Sequence, residues 1–158
     1  MNLRHLACLL LLAPTAFAAR AEVVACPDLA TAVQVATCPS EEELKYTFTG
    51  YCSDNSRAYR GDTDVCTDYR SYRKLKNVAM WESADGMFQA YVSCDLPPEK
   101  VRQAKAVAIK SGKQGKITRL ACSYGEGLTF TYRTRAECKV QGAGNCAADA
   151  GACKAGCD

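Results

Sequence analysis

Residues 107–138 read VAIKSGKQGKITRLACSYGEGLTFTYRTRAEC, and we place the centre of the fold in this segment. Leu128, Phe130 and Tyr132 alternate with threonine and arginine, which is the pattern of a strand with one buried face. A similar alternation precedes it, and the glycines of Gly125-Glu-Gly127 permit the positive φ angles of a hairpin turn. The segment therefore predicts a meander of three antiparallel strands.

Two segments near the beginning of the chain carry predictions of their own. Pro27 suits the first turn of a helix, and apolar residues follow at helical spacing from Leu29 to Ala36, so we expect a short helix there. Aromatic residues alternate with lysine and threonine between Leu44 and Cys52, which predicts the first strand of the sheet. The glutamates at 41–43 are interpreted as a solvated run rather than a cation site.

A basic, tyrosine-rich segment follows a polar loop. The segment Val65–Asn77 has roughly helical apolar spacing and predicts a short helix. Interleaved tyrosine and arginine can also bind single-stranded nucleic acid, but tyrosines that pack on the sheet explain the pattern more simply, so we expect no nucleic-acid partner. The Arg-Gly-Asp triplet at 60–62 in the loop is interpreted as a turn.

A hairpin and a further helix are predicted before the meander. Asp85-Gly86 lies between apolar runs, which predicts a hairpin of Val78–Glu82 with Met87–Cys94. Pro98 suits the start of a helix whose buried stripe includes Val101. The large apolar side chains expected in the core from the hairpin are Met80, Trp81, Phe88 and Tyr91.

The first 18 residues have the features of an exported protein's targeting segment. Arg4 is followed by a short apolar run and by the small-residue cleavage site at 16–18, which predicts a signal peptide over 1–18. A lipid attachment at Cys26 is an alternative, because Val23-Val-Ala-Cys26 is similar to a lipobox, but charged residues separate it from the apolar run. No later stretch is long and apolar enough to predict a transmembrane helix.

Cysteine usage predicts a disulfide framework. The chain has 11 cysteines and only Cys8 falls in the targeting segment, so an even set follows it, as in exported disulfide-bonded proteins. We expect these to be bridged, and the protein to be periplasmic or secreted. The expected disulfide cysteines are Cys26, Cys38, Cys52, Cys66, Cys94, Cys122, Cys138, Cys146, Cys153 and Cys157.

These elements together predict an α+β fold: a small disulfide-rich domain with a mainly antiparallel β-sheet and two or three short helices. One domain is expected over residues 22–158. Its last part, 139–158, is rich in glycine, alanine and cysteine, and is expected to be a short helix or coil stapled to the sheet.

The composition argues against several chemistries. His5 is the only histidine and lies in the targeting segment, which excludes catalytic triads with histidine and histidine-containing zinc sites from the exported chain. No close cysteine pair of the C-x-x-C type occurs, so we predict no metal site, no cofactor and no catalytic residue. A carboxylate-based hydrolase is still possible, with Glu82, Asp85 and Glu126 as candidates.

Positive charge is concentrated near the first turn of the meander. We predict that three lysines crowd the tip of this hairpin and, with one arginine, form a candidate binding patch for an anionic partner, although a solvated edge turn is the simpler interpretation. These residues are Lys110, Lys113, Lys116 and Arg119.

The function expected from these arguments is that of an exported, non-enzymatic interaction protein of the bacterial envelope. A protein that binds another protein, of the inhibitor or immunity type, fits a bridged scaffold best. The first alternative is a small secreted hydrolase or toxin that uses carboxylates. The second is an envelope protein that binds anionic lipid or glycan through the basic hairpin.

Overall fold

Two antiparallel sheets form the protein in the computed structural model, which describes residues 22–54, 56 and 65–158. The larger sheet has six strands and the smaller has three. The predicted α+β class with a disulfide framework is confirmed. The predicted signal peptide and the Arg-Gly-Asp triplet lie outside the described residues.

The strands are β1 (Glu22–Ala25), β2 (Val33–Gln34), β3 (Val78–Glu82), β4 (Gln89–Ser93), β5 (Ala108–Gln114), β6 (Ile117–Ser123), β7 (Thr129–Thr134), β8 (Cys138–Val140) and β9 (Lys154–Cys157). Their order is β2-β3-β4-β7-β6-β5 in the larger sheet and β1-β9-β8 in the smaller. The helices bounded within the described ranges are α1 (Glu41–Cys52), α2 (Tyr69–Lys76) and α3 (Pro98–Gln103). The predicted meander, the β3–β4 hairpin, α2 and α3 are confirmed.

The meander β5–β6–β7 turns one face toward the core, to which β5 contributes Ile109. Leu120 and Phe130 are fully buried and lie on this face, as the alternation predicts. Leu29 before β2 and Val101 of α3 cover it, so the first segments of the chain pack across the last strands. The core therefore lies between the larger sheet on one side and α3 with the smaller sheet on the other.

Five disulfides pair all ten cysteines of the described chain. Cys26–Cys122 closes the longest loop and joins the segment after β1 to the middle of β6, so the sulfur of Cys26 is not free for a lipid. Such a set of bridges indicates an oxidising compartment outside the cytoplasm. The remaining pairs are Cys38–Cys94, Cys52–Cys66, Cys138–Cys157 and Cys146–Cys153.

The strand predicted between Leu44 and Cys52 is wrong, because this segment lies in helix α1. Ser40 caps the helix: its hydroxyl accepts from the Glu43 amide at 3.2 Å, and the Glu43 carboxylate accepts from the Ser40 amide at 2.7 Å. Three glutamates fill the first turn, where the helix dipole favours negative charge. The glutamate run that was interpreted as a solvated face is exposed and begins the helix.

The helix predicted from Pro27 to Ala36 is also wrong beyond its first turn. Asp28 caps only a 3-10 turn over Leu29–Thr31, and Ala32 then takes an extended conformation. Burial explains the change, since Leu29 and Ala32 enter the core while the chain continues as β2 on the edge of the larger sheet.

The tail, predicted to be a short helix or coil, forms most of the smaller sheet. β9 pairs with β1 on one side and β8 on the other, and its Ala155 is fully buried. Gly144 allows the preceding loop to approach β5: its φ is 71°, and a Cβ there would lie 2.8 Å from the Ile109 carbonyl oxygen.

The predicted core residues of the β3–β4 hairpin separate onto two faces of the sheet. Trp81 and Phe88 are buried, as predicted, whereas Tyr91 is 76% exposed and Met80 is partly exposed. Met80 and Tyr91 are register partners on the face that turns away from the core. The core placement of Tyr91 is therefore wrong, because alternation separates neighbouring residues without showing which face is covered.

No helix among the residues that the structure describes is both long and apolar enough to cross a membrane.

Candidate functional site

The larger sheet has one covered face and one face that is open to solvent in the described chain. Strand register assigns side chains to each, because directly paired residues lie on the same face. Leu120 pairs with Tyr132 on the covered face, whereas Arg119 pairs with Arg133 on the other. We call this second surface, on which Tyr91 also lies, the open face.

An apolar patch occupies the β2–β3–β4 half of the open face. It comprises Val33, Val35, Met80 and Tyr91, and we call it the apolar half. Val33 is 49% exposed and Val35 is 46% exposed, and the Val35 amide donates to the Met80 carbonyl at 2.9 Å. An antiparallel sheet with one solvated face usually carries polar residues there, so this half differs from an ordinary solvent face.

Cations occupy the opposite half, on β5, β6 and β7. Lys110, Arg119 and Arg133 are exposed, and none of the three forms an ion pair with a described residue. Arg119 lies opposite Gly112, and Lys110 lies opposite Ala121. The small residues form the floor of an open groove of about 490 Å³, which we call the basic groove.

The predicted cationic patch is rearranged in the structure. Lys110 and Arg119 line the basic groove, but they do so from mid-strand positions, since the turn between β5 and β6 is only Gly115-Lys116. Lys113 also lines the groove, although it has the parity of the covered face, and it forms an ion pair with Glu137, whose pKa the ammonium lowers. Lys116 is exposed at the turn.

Arg133 lies beside the basic groove as the strand partner of Arg119, and the sequence reasoning missed it. Its position on the polar side of the β7 alternation was visible, but its placement beside Arg119 depends on the register across the β6–β7 turn. Gly125 and Gly127 both take positive φ in that turn. With the turn placed at these glycines, Ser123 pairs with Thr129, and the same register continues along the two strands to the pair of Arg119 and Arg133.

Polar residues separate the two halves of the open face. Thr131 of β7 pairs with Gln89 of β4 and with Ala121 of β6, and its hydroxyl donates to the Gln89 carbonyl at 3.3 Å. The Gln89 side chain donates to the Glu82 carboxylate at 2.9 Å. The open face therefore runs from apolar to neutral to basic across its strands.

Of the carboxylates considered for hydrolysis, Glu82 and Asp85 flank the same β3–β4 turn, whereas Glu126 lies apart from them. Asp85 lies in the β3–β4 turn, where it accepts from the Ser83 hydroxyl at 2.5 Å and the Met87 amide at 3.0 Å, and these bonds lower its pKa. Glu126 lies in the β6–β7 turn beside Tyr91 and Ser93, at the far end of β4 from Asp85. Asp85 thus has a local role in shaping its turn.

A separate polar cluster joins α1 and α2 to the end of β4. Arg73 of α2 donates to Glu41 at 3.1 Å and makes a two-pronged contact with Asp95 at 2.9 and 3.0 Å. Asn77 also donates to Asp95, at 3.0 Å. The Tyr69 hydroxyl, followed by the arginine, lowers the pKa of Glu41, and the arginine lowers the pKa of Asp95. These groups satisfy one another, so the cluster serves as a clamp.

Among the described residues, no group of three or more His, Cys, Asp or Glu is placed to hold a metal ion. Comparison of the chain with known proteins finds no matching family model, no similar curated protein and no similar solved structure.

Proposed function

We propose that this is a periplasmic or secreted, non-enzymatic protein of the bacterial envelope that binds another protein, as an inhibitor or immunity protein does. The open face of the larger sheet is the binding surface. The apolar half supplies the contact that excludes water, and the polar and basic strands beside it supply orientation.

The observation that supports this proposal best is the exposure of Tyr91 at the centre of the sheet. A tyrosine that is 76% exposed leaves a large apolar ring in water, although the core of the same hairpin takes up Trp81 and Phe88. Tyrosine is enriched at protein interfaces because it combines a large ring with a hydroxyl and loses little conformational entropy on binding. Val33 of β2 and Val35 just after this strand extend the same patch.

The disulfides hold this surface in a single arrangement. Cys38–Cys94 ties the chain shortly after β2 to the residue that follows β4, and these strands carry most of the apolar half. A surface that is already rigid before binding loses less entropy when the partner docks, which increases affinity.

Site-specific photo-crosslinking in the producing cells tests the proposal. A benzoyl-phenylalanine at position 91 should give one dominant crosslinked protein adduct, because the ring would lie inside the interface. Tyr46 is the matched control, since it is 82% exposed on α1 and lies outside the open face. Adducts of equal yield at both positions, or no protein adduct at position 91, would contradict the proposal.

A further inference from the structure

Three cations in and beside the basic groove, Lys110, Arg119 and Arg133, lie close together without an ion pair to any described residue. Arg119 and Arg133 are directly paired on neighbouring strands, which places their Cβ atoms about 5 Å apart. Lys110 is the diagonal neighbour of Arg119, since its own partner is Ala121. Like charges directly opposite one another destabilise a sheet, so this arrangement costs the free protein stability.

The floor of the groove is open to a ligand atom. A Cβ added at Gly112 would meet no atom within 4 Å, and Gly112 does not have a positive φ. The small residues Gly112 and Ala121 leave room between the cationic side chains. Guanidinium groups in such a position can each hold a carboxylate through two parallel hydrogen bonds.

We propose that the basic groove receives the carboxylates of an acidic stretch on the partner protein. This inference rests on the proposed function, because it assigns the chemistry of the partner that covers the open face. Arg119 and Arg133 hold the carboxylate groups, and Lys110 supplies a third positive charge at the edge strand. The ligand offsets the repulsion that the free sheet bears.

A protein ligand fits the surroundings of the groove better than a membrane does. The groove shares the open face with the apolar half, and β7 and β4 lie between them, so one docked surface can cover both. Glu82 lies at the end of β3, beside Val33 of the apolar half, and would repel an anionic lipid surface, whereas a protein partner can place a donor opposite it. The valines of the apolar half lie within the sheet face, which does not suit insertion among lipid chains.

Backbone NMR of the oxidised chain, titrated with a short oligo-glutamate peptide, tests the inference. Shifts should be concentrated at the amides of Lys110, Gly112, Arg119 and Arg133, and should weaken with added salt. The variant Arg119→Gln/Arg133→Gln should bind the peptide about tenfold more weakly, since each exposed ion pair contributes about a threefold to fivefold effect.

A matched variant and a steric variant sharpen the test. Arg70→Gln/Lys74→Gln removes two exposed cations from α2 and should leave peptide binding unchanged. Gly112→Ile should weaken binding without a change in charge, because it fills the floor of the groove. The groove arginine variant should also raise the melting temperature of the free protein by relieving repulsion, a gain that a merely structural role of the arginines would not give.

Several results would overturn the inference. One is that the peptide shifts amides outside the groove, or that the α2 variant loses as much peptide affinity as the groove arginine variant. Another is that inorganic phosphate binds as tightly as the peptide. A third is that phosphatidylglycerol vesicles shift the groove amides while the peptide does not. The proposed function is tested separately by the crosslink at position 91. If that adduct forms equally well in the groove arginine variant, the carboxylate inference fails while the proposed function stands.

Discussion

The meander β5–β6–β7 and the helical pair α1–α2 are stabilised in different ways. The meander is the centre of the common core, with Leu120, Cys122 and Phe130 fully buried. The helical pair has its own small aromatic cluster, in which Phe48 packs edge-on against Tyr72 at 5.2 Å. Besides this packing, the pair is held by the capping box of α1, by the clamp around Arg73 and by a disulfide. Its stability therefore depends on few groups, and several of these groups are charged.

The largest difference should come from the disulfides that anchor each region. Replacing Cys26 and Cys122 together by alanine should lower the free energy of unfolding by about 5 kcal/mol, because the bridge spans 96 residues and closes onto the buried β6. The same change at Cys52 and Cys66 should cost about 3 kcal/mol, since that loop spans 14 residues. Urea titration of the oxidised variants measures both values, and equal losses would show that the two regions do not differ in this way.

Matched phenylalanine substitutions compare the packing of the two regions. Phe130→Ala should cost about 4 kcal/mol in unfolding free energy, because the ring is fully buried and leaves a cavity. Phe48→Ala should cost about half as much, roughly 2 kcal/mol, because its ring is partly exposed and solvent can fill the space. A larger loss at Phe48 would mean that the helical pair is part of the main cooperative core.

Sequence reasoning succeeded in the meander because the signals there are local. Alternation fixes which residues share a face, and the glycines at 125 and 127 fix the turn, so the strands follow from short stretches of sequence. It failed at α1, where Tyr46 and Phe48 have the spacing of a strand. The helical signal was also present, since Leu44, Phe48 and Tyr51 recur at intervals of four and three and face α2.

Features that depend on distant pairing could not be predicted from the sequence. β9 contains glycine and alanine, and its burial arises from neighbours at both ends of the described chain, β1 and β8. The open face raised the same difficulty: alternation places Met80 and Trp81 on opposite faces, but only the position of α3 shows which is covered. Arg102 of α3 lies 5.4 Å from the Trp81 ring centre. The fold brings Lys110 and Arg119 together, and their role in binding is still a prediction.

The cap of α1 offers a smaller test that is confined to the helical pair. Ser40→Ala should lower the free energy of unfolding by about 1 kcal/mol, because it leaves the Glu43 amide without its acceptor. Glu42→Gln is the matched control: it alters the same exposed first turn without removing a cap bond, and should cost less than about 0.5 kcal/mol. Equal losses of stability in the two variants would show that the negative charge of the first turn, and not the capping box, stabilises the start of α1.

Acid should weaken the helical pair before it weakens the meander. The pKa values of Glu41 and Asp95 lie below their ordinary values of 4.5 and 3.8, chiefly through bonds from Tyr69 and Arg73 to Glu41 and from Arg73 to Asp95. A lowered pKa in the folded state stabilises the fold above the ordinary value, and this stabilisation is lost as the pH falls through the folded value. Hydrogen-exchange protection in α1 and α2 should therefore fall below about pH 4, while that of β6 persists.

Arg73→Gln separates this charge effect from general acid unfolding. The variant should already have weaker protection in α1 and α2 at neutral pH, and should lose less on acidification, because neither carboxyl group then gains from the guanidinium. Part of the acid sensitivity should remain, since the Ser40 amide lowers the pKa of Glu43 independently. Lys74→Gln on the same helix should behave as the unchanged protein. If α1, α2 and β6 lose protection together in every variant, the clamp does not make the helical pair a separate unit, and the two regions unfold as one.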